Sequence, residues 1–194
     1  MIRSLFAATV LACSTLAGTA SAQDGGANAA DLAKARGAIK GLAENLRPTL
    51  VNAMKAGGPV AAIEACQGAA PGIAADQSTA HGVTVGRTAL LVRNPANAPD
   101  AWERKVLESF AAKIEAGAAP DTVDFGEVVE EGGRKTFRYM KAIPMAAEPC
   151  MLCHGTELKP EIAAEITKRY PQDKAVGFTP GKLRGAFTVK LSAN

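Results

Sequence analysis

Apolar residues recur at helical spacing over two adjoining stretches near the start of the chain. In the first, Leu32, Ile39, Leu42 and Leu46 share a face behind a capping Asp31. Leu50, Val51 and Met54 continue that face beyond Pro48, where a kink or interruption is expected, and Gly57-Gly58 ends the helix. Pro59 suits the first position of a second helix, on which Ile63, Cys66, Ala70 and Ile73 align. Pro71 predicts a break near its end. From Gly82 the pattern alternates. Val83, Val85, Leu90 and Val92, around Arg87-Thr88, predict a strand with Gly86 as a bulge. The stretch 93–99 is a turn-rich loop. Asp100 or Asn97 can then cap a helix carrying Trp102, Val106, Leu107, Phe110 and Ile114, closed at Gly117. Asp121 to Met145 reads as a hairpin. Val123, Phe125 and Val128 lie on one arm, Glu131-Gly132-Gly133 make the turn, and Phe137, Tyr139, Lys141 and Ile143 alternate on the other arm. Pro160 opens a helix through Ile162 and Ile166 that Pro171 ends, and 183–191 forms a last strand. Helices outside a small antiparallel sheet make the expected fold class α+β.

Composition changes this picture at the N-terminus. Arg3 is the only charge in the first twenty-two residues, and 4–18 is an apolar, small-residue run. Ala20-Ser21-Ala22 gives a small-x-small cleavage site, so 1–22 is expected to be a signal peptide and Gln23 the mature N-terminus. A lipoprotein signal cleaved before Cys13 is the less favoured reading. The segment 23–30 is Gly/Ala-rich and expected to be disordered, leaving 31–194 as one domain. Export points to the periplasm, with no membrane span after cleavage. The 194 residues carry a formal net charge of +3, with both signs interspersed. No basic run points to nucleic acid.

The densest chemistry is Cys150-Met151-Leu152-Cys153-His154. Two thiols at this spacing can form thioethers with both vinyl groups of one porphyrin, and the following histidine is carried under the iron. Pro149 ahead of the motif and Gly155 behind it suggest a loop or short turn. A disulfide or half a zinc site is the rival. Zinc would need a second ligand pair, and only Cys13, Cys66 and His81 remain elsewhere. One covalent haem c is therefore the expected cofactor, with Cys150, Cys153 and His154 as its binding residues and His154 on the iron.

No Met, His or Cys follows His154, so a second axial ligand must lie upstream. Cys66 leads, because Cys13 leaves with the leader and Cys66 is then a lone thiol in an exported chain. Its alternative is a small buried hydrophobe, and the residues alone leave both open. His81 is the second candidate, Met140 and Met145 the third. Arg87 and Arg93 either pair with haem propionates or brace loops, and Trp102 is expected to pack in the core.

Several segments together resemble a known family. They are 58–66 (Gly-Pro-Val-Ala-Ala-Ile-Glu-Ala-Cys), Ala70-Pro71, Gly86-Arg87-Thr88, 93–99, Trp102-Glu103, 150–155, Gly177-Phe178 and Arg184-Gly185-Ala186. They are similar to a domain-of-unknown-function family of exported single-haem c-type cytochromes with a PAS-like fold, found alone and as a sensor region of signalling proteins. Ala89 departs from the polar residue expected after Arg-Thr. The resemblance implies a small antiparallel sheet with flanking helices around one covalent haem, ligated by His154 and Cys66. A thiolate favours ferric iron, and reduction weakens the iron–sulfur bond. The expected function is thus redox or diatomic-gas (CO or NO) sensing, with a redox partner protein or the gas as partner. A periplasmic electron carrier is the alternative. No distal His stands beside an Arg, so no enzymatic activity is expected.

Overall fold

The computed structural model describes residues 28–193. The leader reading, 1–22, and most of the Gly/Ala-rich segment lie outside these residues. The first helical pattern starts earlier than expected. Helix α1 spans Ala29–His81, and its cap is Asn28, whose side-chain oxygen accepts from the Asp31 N–H at 2.8 Å. Asp31 occupies the first helical turn and is buried, while Ala29 and Ala30 are helical rather than disordered.

At Gly57 and Gly58 the backbone leaves helical geometry, with φ +69° at Gly58. The bend is a reversal. A Cβ on Gly37 would meet the His81 ring at 3.2 Å, and one on Gly41 would meet the Gln77 amide. Residue 37 lies about 30 Å of helix before the bend, so these contacts require two antiparallel arms. Pro71 does not break the second arm. A mid-helix proline costs about 3 kcal/mol. Here the arm beyond Pro71 is held by Ile73 and Ala74 against the core, by Ser78 Oγ accepting the Val85 N–H at 3.0 Å, and by His81 on Gly37. These contacts offset the cost. Gly82 closes the helix in the left-handed region, φ +62°.

Strand β1 is only Thr84–Thr88, and Gly86 pairs in register with Thr188 without a bulge. The chain turns away after Thr88, whose hydroxyl donates to the Asn97 carbonyl, and Ala89 packs against Gly185. Leu90 and Val92 are therefore loop residues. Helix α2, Ala101–Glu115, starts with a reciprocal capping box of Asp100 and Glu103. β2 (Asp124–Glu131) and β3 (Arg134–Pro144) form the expected hairpin, with Gly132 and Gly133 both at positive φ in the turn. A one-turn helix α3 (Met151–His154), helix α4 (Pro160–Arg169) and strand β4 (Leu183–Ser192) complete the chain.

The four strands form one antiparallel sheet in the order β1-β4-β3-β2. The alternation of β3 divides the core. Phe137 and Tyr139 join Val85, Val189 and Leu191 against Ala35, Ala38, Ile39 and Leu42 of α1. Met140 and Ala142 join Ala186 against Val106, Leu107, Phe110 and Ile114 of α2. Helices thus flank a small antiparallel sheet, and the α+β expectation holds. A third cluster, Ile63 with Ile162 and Ile166, seats the second arm of α1 on α4 and includes Cys153 and Tyr170 at its margin. Among the described residues no helix is long and apolar enough to cross a membrane.

Candidate functional site

The Cys-x-x-Cys-His motif is a helical turn rather than a loop. The Cys150 carbonyl accepts from the His154 N–H at 3.1 Å, which keeps Cys150, Cys153 and His154 within one turn of each other. Gly155 follows for a steric reason, since a Cβ there would stand 2.7 Å from the Met151 carbonyl oxygen. The turn is then tied to the segment after α4. Phe178 N–H donates to the His154 carbonyl at 3.0 Å and Gly177 N–H to the Gly155 carbonyl at 2.9 Å.

His154 is oriented by the same segment. Its Nδ1 lies 2.6 Å from the Ala175 carbonyl oxygen, a contact that requires the proton on Nδ1 and leaves the Nε2 lone pair free. Burial lowers its pKa to about 3, with Arg184 and Arg93 adding to the shift and the Ala175 bond opposing it. The imidazole is therefore neutral near pH 7, the form that binds a metal. Phe178 meets the His154 ring edge-on with centroids 6.2 Å apart.

Arg93 is committed to the protein. It forms a fork onto both carboxylate oxygens of Asp173, at 3.2 Å each, and donates to the carbonyls of Cys153 at 2.5 Å and Ala175 at 3.1 Å. One side chain thus fastens the 93–99 loop to the motif and to the carbonyl that orients His154. Of the two roles open to Arg93, the geometry shows bracing. Arg87 follows Val85 on the α1 face of β1, beside Cys66 and Tyr170. Its side chain is exposed at the surface, although the protein atoms packed around it depress its pKa.

Cys66 lies one turn beyond the buried Ile63, which shares a cluster with Cys153. The thiol is half-buried. Burial pushes its pKa up, and the charges of Arg87 and Arg93 pull against that rise. Cys66 and Cys153 are near enough for the charge of one to raise the pKa of the other. Cys66, Cys150 and Cys153 are all free thiols. The fold therefore gathers Cys66, Arg87, Arg93, Cys150, Cys153 and His154 at one end of the sheet.

The other ligand candidates lie elsewhere. His81 is about 22 Å along the helix from Cys66 and packs on Gly37. Met140 is fully buried on the α2 face of the sheet. Met145 is buried at the end of β3, its backbone bonded to Lys182 and Gly181. Among the described residues no group of three or more His, Cys, Asp or Glu side chains could hold a bare metal ion. A flat group with its own ring ligands suits this donor set better: two adjacent thiols, one oriented neutral imidazole and a third thiol from another element.

Asp173, Ala175, Tyr170 and Arg184 escaped the sequence reading as site residues. Arg184 had a signal, as it stands in a family-like segment. Ala175 had none, because a backbone carbonyl acts there and any residue would supply it.

The fold and site define an α+β domain whose thiols and single motif histidine converge at one end of an antiparallel sheet. The chain belongs to the Tll0287-like family, whose sequence model matches residues 21–192. A solved structure, the crystal structure of the cyanobacterial heme-protein Tll0287, superposes with a TM-score of 0.62 at 26% identity, covering 86% of this chain and 97% of that one. A comparison with curated proteins gave no match. The resemblance read from the sequence thus holds at the level of the family.

Proposed function

We propose that this protein is a periplasmic single-haem c-type cytochrome that senses redox state or a diatomic gas through a His154/Cys66-ligated iron. The observation that carries the reading is the convergence of Cys66 with Cys150, Cys153 and an imidazole whose Nδ1 is already held by a carbonyl. The similarity to the cyanobacterial heme-protein Tll0287 supports it. A bound haem would supply a one-electron couple and a site for small ligands. Cys150 and Cys153 would hold it covalently. His154 would offer Nε2, and the Ala175 carbonyl would keep the ring in place and raise its basicity.

Cys66 supplies what distinguishes this site from a simple carrier. Its sulfur resides on an arm that begins at the Gly57-Gly58 reversal, eight residues upstream of Cys66, and is seated by Ile63 on α4. Arg87 and Arg93 place positive charge beside the thiol and favour its thiolate, while burial favours the thiol. Burial is the larger influence, so the free sulfur is held as the thiol.

The test is low-temperature EPR with optical spectra of the ferric protein, wild type against Cys66→Ala, made in a host that matures c-type haem. A low-spin thiolate signal that the substitution abolishes is expected, as is carbon monoxide binding to the reduced wild type. An unchanged signal would return Cys66 to a packing role and favour a periplasmic electron carrier.

A further inference from the structure

The site holds more positive charge than its own carboxylates balance. Arg87, Arg93 and Arg184 all bear on His154, and Asp173 is the carboxylate whose charge reaches Arg184. That carboxylate is already gripped by Arg93 through both oxygens. Arg184 makes one protein hydrogen bond among the described residues, Nη1 to the Leu91 carbonyl at 3.3 Å, and its guanidinium lies 5.3 Å over the Phe178 ring. Arg87 has no hydrogen-bond or ion-pair partner among the described residues. Burial lowers both pKa values, to about 10 for Arg184, where repulsion from Arg93 and Arg87 adds to the effect.

The two guanidiniums come from paired strands. Arg87 on β1 stands opposite Phe187 of β4, and Arg184 lies three residues before Phe187. A regular strand would turn that odd offset to the other face, but the β3–β4 register shifts between Ile143 and Pro144, which pair with Gly185 and Leu183 and pass over Arg184. Strand geometry places their Cα atoms roughly 11 Å apart. They flank the site from the Cys66 side and from the Cys150 and Phe178 side, respectively. Guanidinium forks match carboxylates in pairs of parallel hydrogen bonds. Two nearly unpartnered forks, with an uncompensated charge of two between them, fit a rigid ligand that carries two carboxylates.

We propose that Arg87 and Arg184 form a dicarboxylate clamp that takes the two propionates of the haem, one on each guanidinium, while Arg93 braces the protein and takes neither. The assignment rests on the haem reading above, and it replaces Arg93 with a residue from the last strand. Phe178 has a positioning role in it, because one ring touches both His154 and Arg184 and sets the clamp relative to the imidazole.

The experiment uses the full chain matured with haem, as wild type, Arg87→Gln, Arg184→Gln, Arg184→Lys, Arg93→Gln and the Arg87/Arg184 double variant. Pyridine haemochrome measures haem content, and resonance Raman follows the propionate bending bands. Arg87→Gln and Arg184→Gln should each move one band, the double variant both, and Arg184→Lys should recover part of the shift. Arg93→Gln should leave the bands in place and lower the melting temperature. Bands unmoved in the haem-loaded double variant, or moved by Arg93→Gln alone, would overturn the clamp and leave the haem reading intact. Unmoved bands with an optical response to added inorganic phosphate that Arg184→Gln abolishes would assign the pair to a soluble anion and likewise overturn it. Wild type without covalent haem would overturn the haem reading and the clamp together.

Discussion

Two groups of cationic side chains, one around Arg138 and one at the site end, are balanced in opposite ways. On the α2 face, Arg138 is almost wholly buried, yet it meets Asp100 at 2.6 Å, Glu131 at 2.9 Å and Glu103 at 3.5 Å. Its guanidinium also stacks 4.3 Å from the Trp102 ring. Lys190 reaches Asp100 as well, and the Thr188 hydroxyl donates to Glu103. Burial works to raise the Asp100 pKa, but bonds from Arg138, the Glu103 N–H and Lys190 outweigh it and hold the carboxyl well below the usual range. At the site end, three guanidiniums share one carboxylate. A buried charge is tolerated where it is paired. The α2 face meets that condition from within the chain and fastens α2 to the sheet. At the site end Arg87 and Arg184 keep contact with solvent, which tolerates their unpaired charge and leaves both guanidiniums within reach of a ligand.

The largest expected effect breaks the balanced cluster. Arg138→Ala leaves Glu103 buried without its cation and removes the stacking partner of Trp102. A loss of about 3 kcal/mol is expected, near the lower end for a broken buried pair because Asp100 and Glu131 are partly exposed. Urea unfolding at pH 7 measures it, and a loss below about 1 kcal/mol would mean that the cluster is not a stability element.

Arg93→Gln sharpens the contrast from the other end. It removes a fork and two carbonyl bonds, so about 2 kcal/mol of local stability is expected to vanish. The loss should concentrate in the motif and its anchor. Amide exchange at Gly177 and Phe178, whose N–H groups bond to the motif, should accelerate at least about tenfold, while α2 amides stay protected. Uniform acceleration would show that Arg93 supports the whole domain instead.

The third prediction concerns an intermediate case on the α1 face. Tyr139 donates to Asp124 at 2.5 Å and accepts from Arg36 at 3.3 Å. Burial first, and the nearby Asp124 with it, raises its pKa to about 12, while Arg36 opposes the shift. The folded-state value exceeds the unfolded value near 10, so this stability is fully present below about pH 10 and lost as pH rises through 12. That difference corresponds to about 3 kcal/mol. Thermal melts from pH 9 to 12 should show that fall in wild type, and Tyr139→Phe should flatten it. A variant that falls as steeply as wild type would place the pH dependence in other groups.

Local chemistry made much of this protein legible in its residues. The hairpin of β2 and β3 follows from period-two alternation around Gly132-Gly133, and α2 from a capping box within four residues. Cys150, Cys153 and His154 are recognisable because their geometry is set within one helical turn. Properties that depend on distant partners were not legible. Pro71 carries the same local penalty in any chain, and contacts with the core, β1 and Gly37 carry the helix through it to His81. Val83 to Val92 alternates like a strand throughout, yet the approach of Ala89 to Gly185 and the Thr88 bond to Asn97 end it at Thr88.

The same division runs through the site. The sequence by itself determined which atoms are available for chemistry: two thiols and an imidazole in a motif, a lone thiol on a helix face, and several arginines. The tertiary structure decided what each arginine has to do. Arg93 found Asp173 eighty residues away, and Arg184 found, among the described residues, an aromatic ring and one carbonyl. Pairing energy depends on distance and burial, and neither is encoded in the identity of a residue or in its neighbours along the chain.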